Sequence, residues 1–120
     1  MKVLIVDDNE KVRLLLRDHL PVTADEVYEC ADGDQALLLC RKHLPDWILM
    51  DWEMPKMDGL TAIREIIAEF PQANICMVTA FDDEDLRAEA FAAGASGFVA
   101  KSNLFKLETI LVNELKGQTL

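Results

Sequence analysis

Basic residues are scarce in this chain: 12 lysines and arginines face 22 aspartates and glutamates over 120 residues, a formal net charge of −10. A surface of that sign repels phosphate backbones and offers no basic stripe, which argues against direct nucleic-acid binding. Long apolar runs are missing as well. None approaches the ~20 residues that a bilayer-crossing helix requires, so no membrane span is expected. The opening "MKVLIVDDNE" carries a single basic residue and a short apolar stretch before two acids. It lacks the length and cleavage site of a secretory signal, and the expected location is the cytoplasm. Only three cysteines occur, Cys30, Cys40 and Cys76. They are widely spaced, each among apolar neighbours, which fits reduced thiols in a core rather than a disulfide framework or a metal site. His19 and His43 fall near the ends of helical patterns, with no partner at metal-binding spacing. No glycine-rich P-loop or GxGxxG turn is present to cradle a nucleotide. Linkers, repeats and low-complexity segments are absent too, so residues 1–120 read as one domain, with "GQTL" a frayed tail or the start of a longer chain.

What the sequence does have is two alternating periodicities. Short apolar runs, "KVLIV", "VYECA", "WILM", "NICMV" and "GFVA", are separated by amphipathic stretches over 9–20, 33–44, 58–69, 83–93 and 103–115. Strands alternating with helices predict a parallel sheet covered on both faces. Leu14, Leu15 and Leu16 in the first helix, and Ile63, Ile66 and Ile67 in the third, form the stripes expected to face that sheet. Asp58-Gly59 opens the third helix, Asp82 or Asp83 suits the cap of the fourth, and Ser102 or Asn103 that of the fifth. Pro21, Pro45 and Pro71 mark helix ends.

In an open α/β sheet, ligands bind beyond the carboxyl ends of the strands. Here the first strand ends in Asp7-Asp8, the third in Asp51, the fourth in Thr79 and the fifth in Lys101, while the second, ending near Asp32, lies to one side. Each residue alone has an ordinary role to play. Asp7 with Glu10 fits a capping box for the first helix, Thr79 an end-of-strand hydroxyl, and Lys101 a solvated charge. Their joint placement on one sheet edge points to a site. Crowded carboxylates repel one another and call for a cation, and hard oxygen ligands suit Mg²⁺. Mg²⁺, a lysine and a hydroxyl are the groups that stabilise a phosphoryl group in transfer. A carboxylate can itself be the nucleophile, forming an aspartyl phosphate. Asp51, after an apolar strand and before a turn built on Pro55 and Gly59, is the best placed.

Together, "VDD" at 6–8, "DWEMPKMDG" at 51–59, "VTA" at 78–80 and "GFVAK" at 97–101 resemble the receiver domain of bacterial two-component response regulators, from Lys2 to about Glu114. The resemblance implies a flavodoxin-like five-stranded parallel sheet in the order 2-1-3-4-5, with five helices on both faces. It implies that Asp51 accepts phosphate from a phosphohistidine on a sensor histidine kinase or phosphotransfer protein. Asp8 and Asp51 would bind Mg²⁺ directly, Asp7 through water, and the backbone carbonyl of Glu53 would complete the protein ligands. Lys101 would pair with the phosphoryl oxygens and Thr79 would hydrogen-bond one of them. Phe98 would be the aromatic switch that turns inward when Thr79 moves. That turn would recontour the face of the fourth helix, fifth strand and fifth helix for homodimerisation or partner binding.

Three positions depart from the family pattern or vary within it. Ser102 follows Lys101 where the family usually has proline, often through a cis bond. Glu53 is acidic where many relatives are neutral, with Lys101 in the resting state or the attacking water as its targets. Phe81 is bulky and placed to shield the phosphoryl group. The ending "AAGASGFVAKSNLFKLETIL" resembles receivers joined to helix-turn-helix output domains, so transcription regulation is one expected output. The alternative is a pseudo-receiver that binds partners independently of phosphorylation. A Mg²⁺-dependent phosphatase is disfavoured because its DxD arrangement after the first strand is absent.

Overall fold

The computed structural model describes residues 1–113. Strands β1 (Lys2–Val6), β2 (Glu26–Cys30), β3 (Trp47–Met50), β4 (Ile75–Thr79) and β5 (Gly97–Ala100) alternate with helices α1 (Glu10–Asp18), α2 (Gly33–His43), α3 (Gly59–Glu69), α4 (Glu84–Ala93) and α5 (Leu107–Asn113), a 3₁₀ segment (Lys101–Lys106) leading into α5. The sheet order is β2-β1-β3-β4-β5 and every pairing is parallel, as the family resemblance implies. Parallel neighbours cannot be joined by a tight hairpin, which is why a helix follows each strand. No helix among the described residues is long and apolar enough to cross a membrane.

Side chains alternate across a strand, so both faces of this sheet are dry and carry separate cores. Leu4, Val6, Ile48, Met50, Ile75 and Met77 pack in one cluster with Ala36 and Cys40 of α2, Ile63 and Ile66 of α3, and Leu86 and Ala90 of α4. Val3, Ile5, Trp47, Leu49, Cys76, Val78 and Val99 pack in the other with Leu16 of α1 and Leu104, Leu107 and Leu111. The Trp47 indole donates to the Leu111 carbonyl at 3.0 Å, tying α5 to the central strand. Gly94 closes α4 at φ +119°, a conformation that glycine adopts without strain. None of the three cysteines is in a disulfide and all are buried, as expected.

Three expectations change. Leu14 and Leu15 are exposed and only Leu16 of that trio is buried. Consecutive residues on a helix step by about 100°, so three in a row cannot all face one sheet, whereas Ile63 and Ile66 are three apart and do. The cap of α1 is Asn9, whose side chain accepts from the amides of Lys11 and Val12. That leaves Asp7 outside any capping box with Glu10. Neither Ser102 nor Asn103 caps the fifth helix: the 3₁₀ segment has no side-chain cap, and Asn103, at φ −125° and ψ 37°, kinks that segment from within, before it runs on into α5 at Leu107. Residues 114–115 of the expected helix, and the tail, lie outside the described residues. The Lys101–Ser102 bond is trans, no cis peptide being present among the described residues.

Candidate phosphoacceptor site

Register brings the acids together. Val6 lies opposite Met50 across the β1·β3 pair, and the ladder runs one step further as the Asp51 amide donates to the Val6 carbonyl at 2.9 Å. Asp7 and Asp51 therefore leave the sheet side by side. Both are buried, whereas Asp8 is exposed, and oxygens of the three carboxylates lie within 4.8 Å of one another. Asp7 uses one oxygen to accept from the Asn9 amide at 2.9 Å. Its other oxygen accepts from Lys101 Nζ at 3.0 Å, and the same ammonium reaches Asp51 at 3.2 Å. Lys101 can do this because β5 ends beside β4, with Ala100 opposite Thr79. Lys101 is thus a partly buried ion-pair partner and not a solvated charge.

The loop after β3 folds back hard on Asp51. A Cβ at Gly59 would sit 2.1 Å from the Asp51 carbonyl oxygen, and the Gly59 amide donates to the Trp52 carbonyl at 2.7 Å. Only glycine permits that approach. Asp58 then caps α3 by accepting from the Thr61 amide.

Burial, reinforced by the charge of Asp7 and opposed by Lys101, pushes the Asp51 carboxyl up to about 6. For Lys101, burial alone would lower the ammonium's pKa, but the hydrogen bond to Asp7 and the charges of Asp51 and Asp7 outweigh it and raise the value. An acid held reluctantly ionised beside a second acid, a third at the mouth and one lysine is electrostatically short of positive charge. The donor set is all oxygen, which suits a hard divalent cation.

Asp7, Asp8, Asp51, Glu53, Thr79, Phe81 and Lys101 line a cleft of ≈ 270 Å³, which is the set expected from sequence apart from Phe98. Thr79 is buried and its Oγ1 accepts from the Phe81 amide at 3.2 Å. The Phe81 ring meets Trp52 edge to face, centroids 5.3 Å apart, bridging the loops after β3 and β4. One expectation is corrected. Glu53 is exposed and is not the resting partner of Lys101, because the nearer Asp7 and Asp51 hold that ammonium. Phe98 is buried in the α4-side core, with the Arg87 guanidinium 5.7 Å above its ring. Arg13 was not foreseen: its guanidinium donates to the Asp7 carbonyl at 2.7 Å, a contact that depends on how α1 leaves the strand.

The model of the response regulator receiver domain family matches residues 3–111. This chain belongs to that family. The receiver is 39% identical over 103 residues to the uncharacterised transcriptional regulatory protein YhcZ of Bacillus subtilis, covering 84% of this chain and 48% of YhcZ. It therefore spans about half the length of that relative. It is equally similar, 39% over 101 residues, to the chemotaxis protein CheY of Bacillus subtilis, covering 83% of this chain and 84% of CheY. Among solved structures, the receiver superimposes on Vibrio cholerae CheY4 with a TM-score of 0.85 at 31% identity, covering 95% of this chain and 98% of that one. Membership places it among the signalling modules of two-component systems, whose function is phosphorylation-dependent.

Proposed function

We propose that this receiver is a phosphorylation-driven switch with Asp51 as its phosphoacceptor. The observation that carries the reading is the Lys101 ammonium shared between Asp7 and Asp51 at 3.0 and 3.2 Å, with Asp8 completing the acidic mouth. Asp8 and Asp51 would hold Mg²⁺ directly, Asp7 through water, and the Glu53 carbonyl would add a main-chain ligand. A bound Mg²⁺ would supply positive charge to the carboxylates and to the phosphoryl oxygens.

The chain's own residues supply the rest. An Asp51 carboxylate oxygen attacks phosphorus, the N–P bond of a phosphohistidine on a sensor histidine kinase or phosphotransfer protein breaks, and the imidazole leaves with the electron pair. Lys101 exchanges its salt bridge to Asp51 for the new phosphoryl oxygens, keeping Asp7 as its anchor. Thr79 can give its hydroxyl proton to the phosphoryl group while still accepting from the Phe81 amide, so phosphorylation is felt in the loop before α4. The Trp52–Phe81 pair narrows the approach of water to the acyl phosphate. Output passes through α4, β5 and α5, where phosphorylation favours homodimerisation or a partner by shifting a pre-existing equilibrium.

Incubation with acetyl phosphate and Mg²⁺ tests the assignment, a single phosphoryl group adding about 80 Da to the intact mass. The adduct is expected on the wild type and not on Asp51→Asn. An undiminished adduct on that variant would overturn Asp51 as the acceptor.

A further inference from the structure

Strand β2 sends no side chain into the cleft, yet it grips the cleft's first acid through two others. Glu29, opposite Ile5 in the β1·β2 pair, accepts from Arg13 Nε at 2.9 Å and also pairs with Arg17. Burial works against the Glu29 charge, but the hydrogen bonds from Arg17 and Arg13 outweigh it and hold the carboxyl below the ordinary glutamate range. With Nε engaged, Arg13 turns Nη1 onto the Asp7 carbonyl at 2.7 Å. The Asp7 amide donates to the Cys30 carbonyl at 3.1 Å. Both main-chain groups of Asp7 are therefore held, one by β2 itself and one by the arginine that β2 braces.

The Asp7 carbonyl belongs to the peptide unit that carries the Asp8 amide. Its orientation sets the direction in which Asp8 leaves the strand. Asp8 is exposed, and no hydrogen bond holds its carboxylate among the described residues, so its aim toward Asp51 comes from the backbone. We propose that Arg13, braced by Glu29, is a positioning residue for Mg²⁺ binding, orienting the Asp7–Asp8 peptide so that the Asp8 carboxylate faces Asp51. This rests on the reading of Asp8 and Asp51 as Mg²⁺ ligands.

Charge and position predict opposite signs. Arg13 is a cation near a cation site, so if only its charge mattered, Arg13→Met would tighten Mg²⁺ binding. Outer partners of metal ligands typically contribute 10–100-fold to affinity, so loss of positioning weakens Mg²⁺ by about tenfold. Titration calorimetry with Mg²⁺ alone, paired with the rate of phosphorylation by acetyl phosphate across Mg²⁺ concentrations, separates the two. Arg13→Met is expected to need about tenfold more Mg²⁺ yet to regain a rate within about twofold of wild type at saturation. Binding as tight as wild type or tighter, or a rate that stays low at saturating Mg²⁺, overturns the proposal. Wild type that fails to bind, or Asp8→Ala that binds equally well, overturns the underlying ligand assignment instead. Should Arg13→Met not fold by circular dichroism, Arg13→Lys carries the test. It keeps the charge but lacks the fork that spans two acceptors, and about threefold weaker Mg²⁺ is expected. An unchanged or tighter affinity there likewise overturns the role.

Discussion

Asp51→Asn keeps the shape of the acceptor side chain and removes its charge, and the resting fold should gain from the exchange. The Asp51 carboxyl is pushed up to about 6, first by burial and next by Asp7, with Lys101 pulling the other way. In the unfolded chain an aspartate ionises near ~3.9. The folded protein thus holds this proton more tightly than the unfolded one, so stability falls as pH rises from about 4 to about 6 and levels off above. Two pH units at about 1.4 kcal/mol each come to roughly 3 kcal/mol. Water at the cleft mouth and the coupling to Lys101 reduce this to about 2 kcal/mol. At pH 7.5, in EDTA, Asp51→Asn is expected to be about 2 kcal/mol more stable than wild type, or roughly 6–10 °C in Tm for a domain of this size. Urea unfolding followed by circular dichroism at pH 4.5, 6.0 and 7.5 makes the test. The gap should close on acidification, because the wild type then keeps its proton in the fold, and titrations of groups away from the cleft cancel between the two proteins. Mg²⁺ at pH 7.5 should narrow it as well, by binding the wild type more tightly. A variant no more stable than wild type at pH 7.5, or a gap indifferent to pH, refutes the reasoning.

Gly59→Ala places a Cβ 2.1 Å from the Asp51 carbonyl oxygen; we expect a loss of about 3 kcal/mol or more in urea unfolding and slower phosphorylation, because the loop must retreat from the acceptor. The thiols of Cys30 and Cys40, raised mainly by burial to about 11 and about 12, and buried Cys76 should resist a thiol-disulfide reagent at pH 7.5 and react within seconds in denaturing urea; rapid labelling of the native protein would contradict the packing. Phe81→Ala removes the partner of Trp52 and is expected to shorten the half-life of the phosphorylated protein, followed by loss of the mass adduct after the phosphodonor is removed.

Much of the fold was legible because it depends on periodicity. "KVLIV", "WILM" and "GFVA" coincide with β1, β3 and β5, and the other two strands differ from their expected bounds by one residue at each end. The errors fall where local signals compete. Asp7, Asp8 and Asn9 are three consecutive capping types, and only geometry selects Asn9, since Asp7 is still in register with the sheet through its amide to Cys30. The start of α5 was misplaced because Ser102 and Asn103 look like caps, while Lys101 must turn back toward Asp7 and Asp51 and so distorts the chain that follows.

The site was legible for a different reason: parallel strands all point one way, so polar residues at their carboxyl ends must meet whatever the loops do. What periodicity cannot reach is the state of a switch. The Phe98 ring lies under the Arg87 guanidinium at 5.7 Å, and Phe91 holds the same cation at 5.3 Å. An exposed cation–π contact contributes about 0.5–1 kcal/mol, and a bias of that size changes a two-state ratio by about two- to fivefold. Arg87 and Phe91 of α4 thus tilt the β5 ring inward before any phosphate arrives. Phosphorylation would then complete a turn already favoured, and Arg87→Ala should leave the unphosphorylated ring more often outward. The ¹⁹F spectrum of protein carrying fluorophenylalanine reads this population directly. An Arg87→Ala resonance for Phe98 that coincides with wild type, with and without beryllofluoride, would show that the cation does not set the equilibrium.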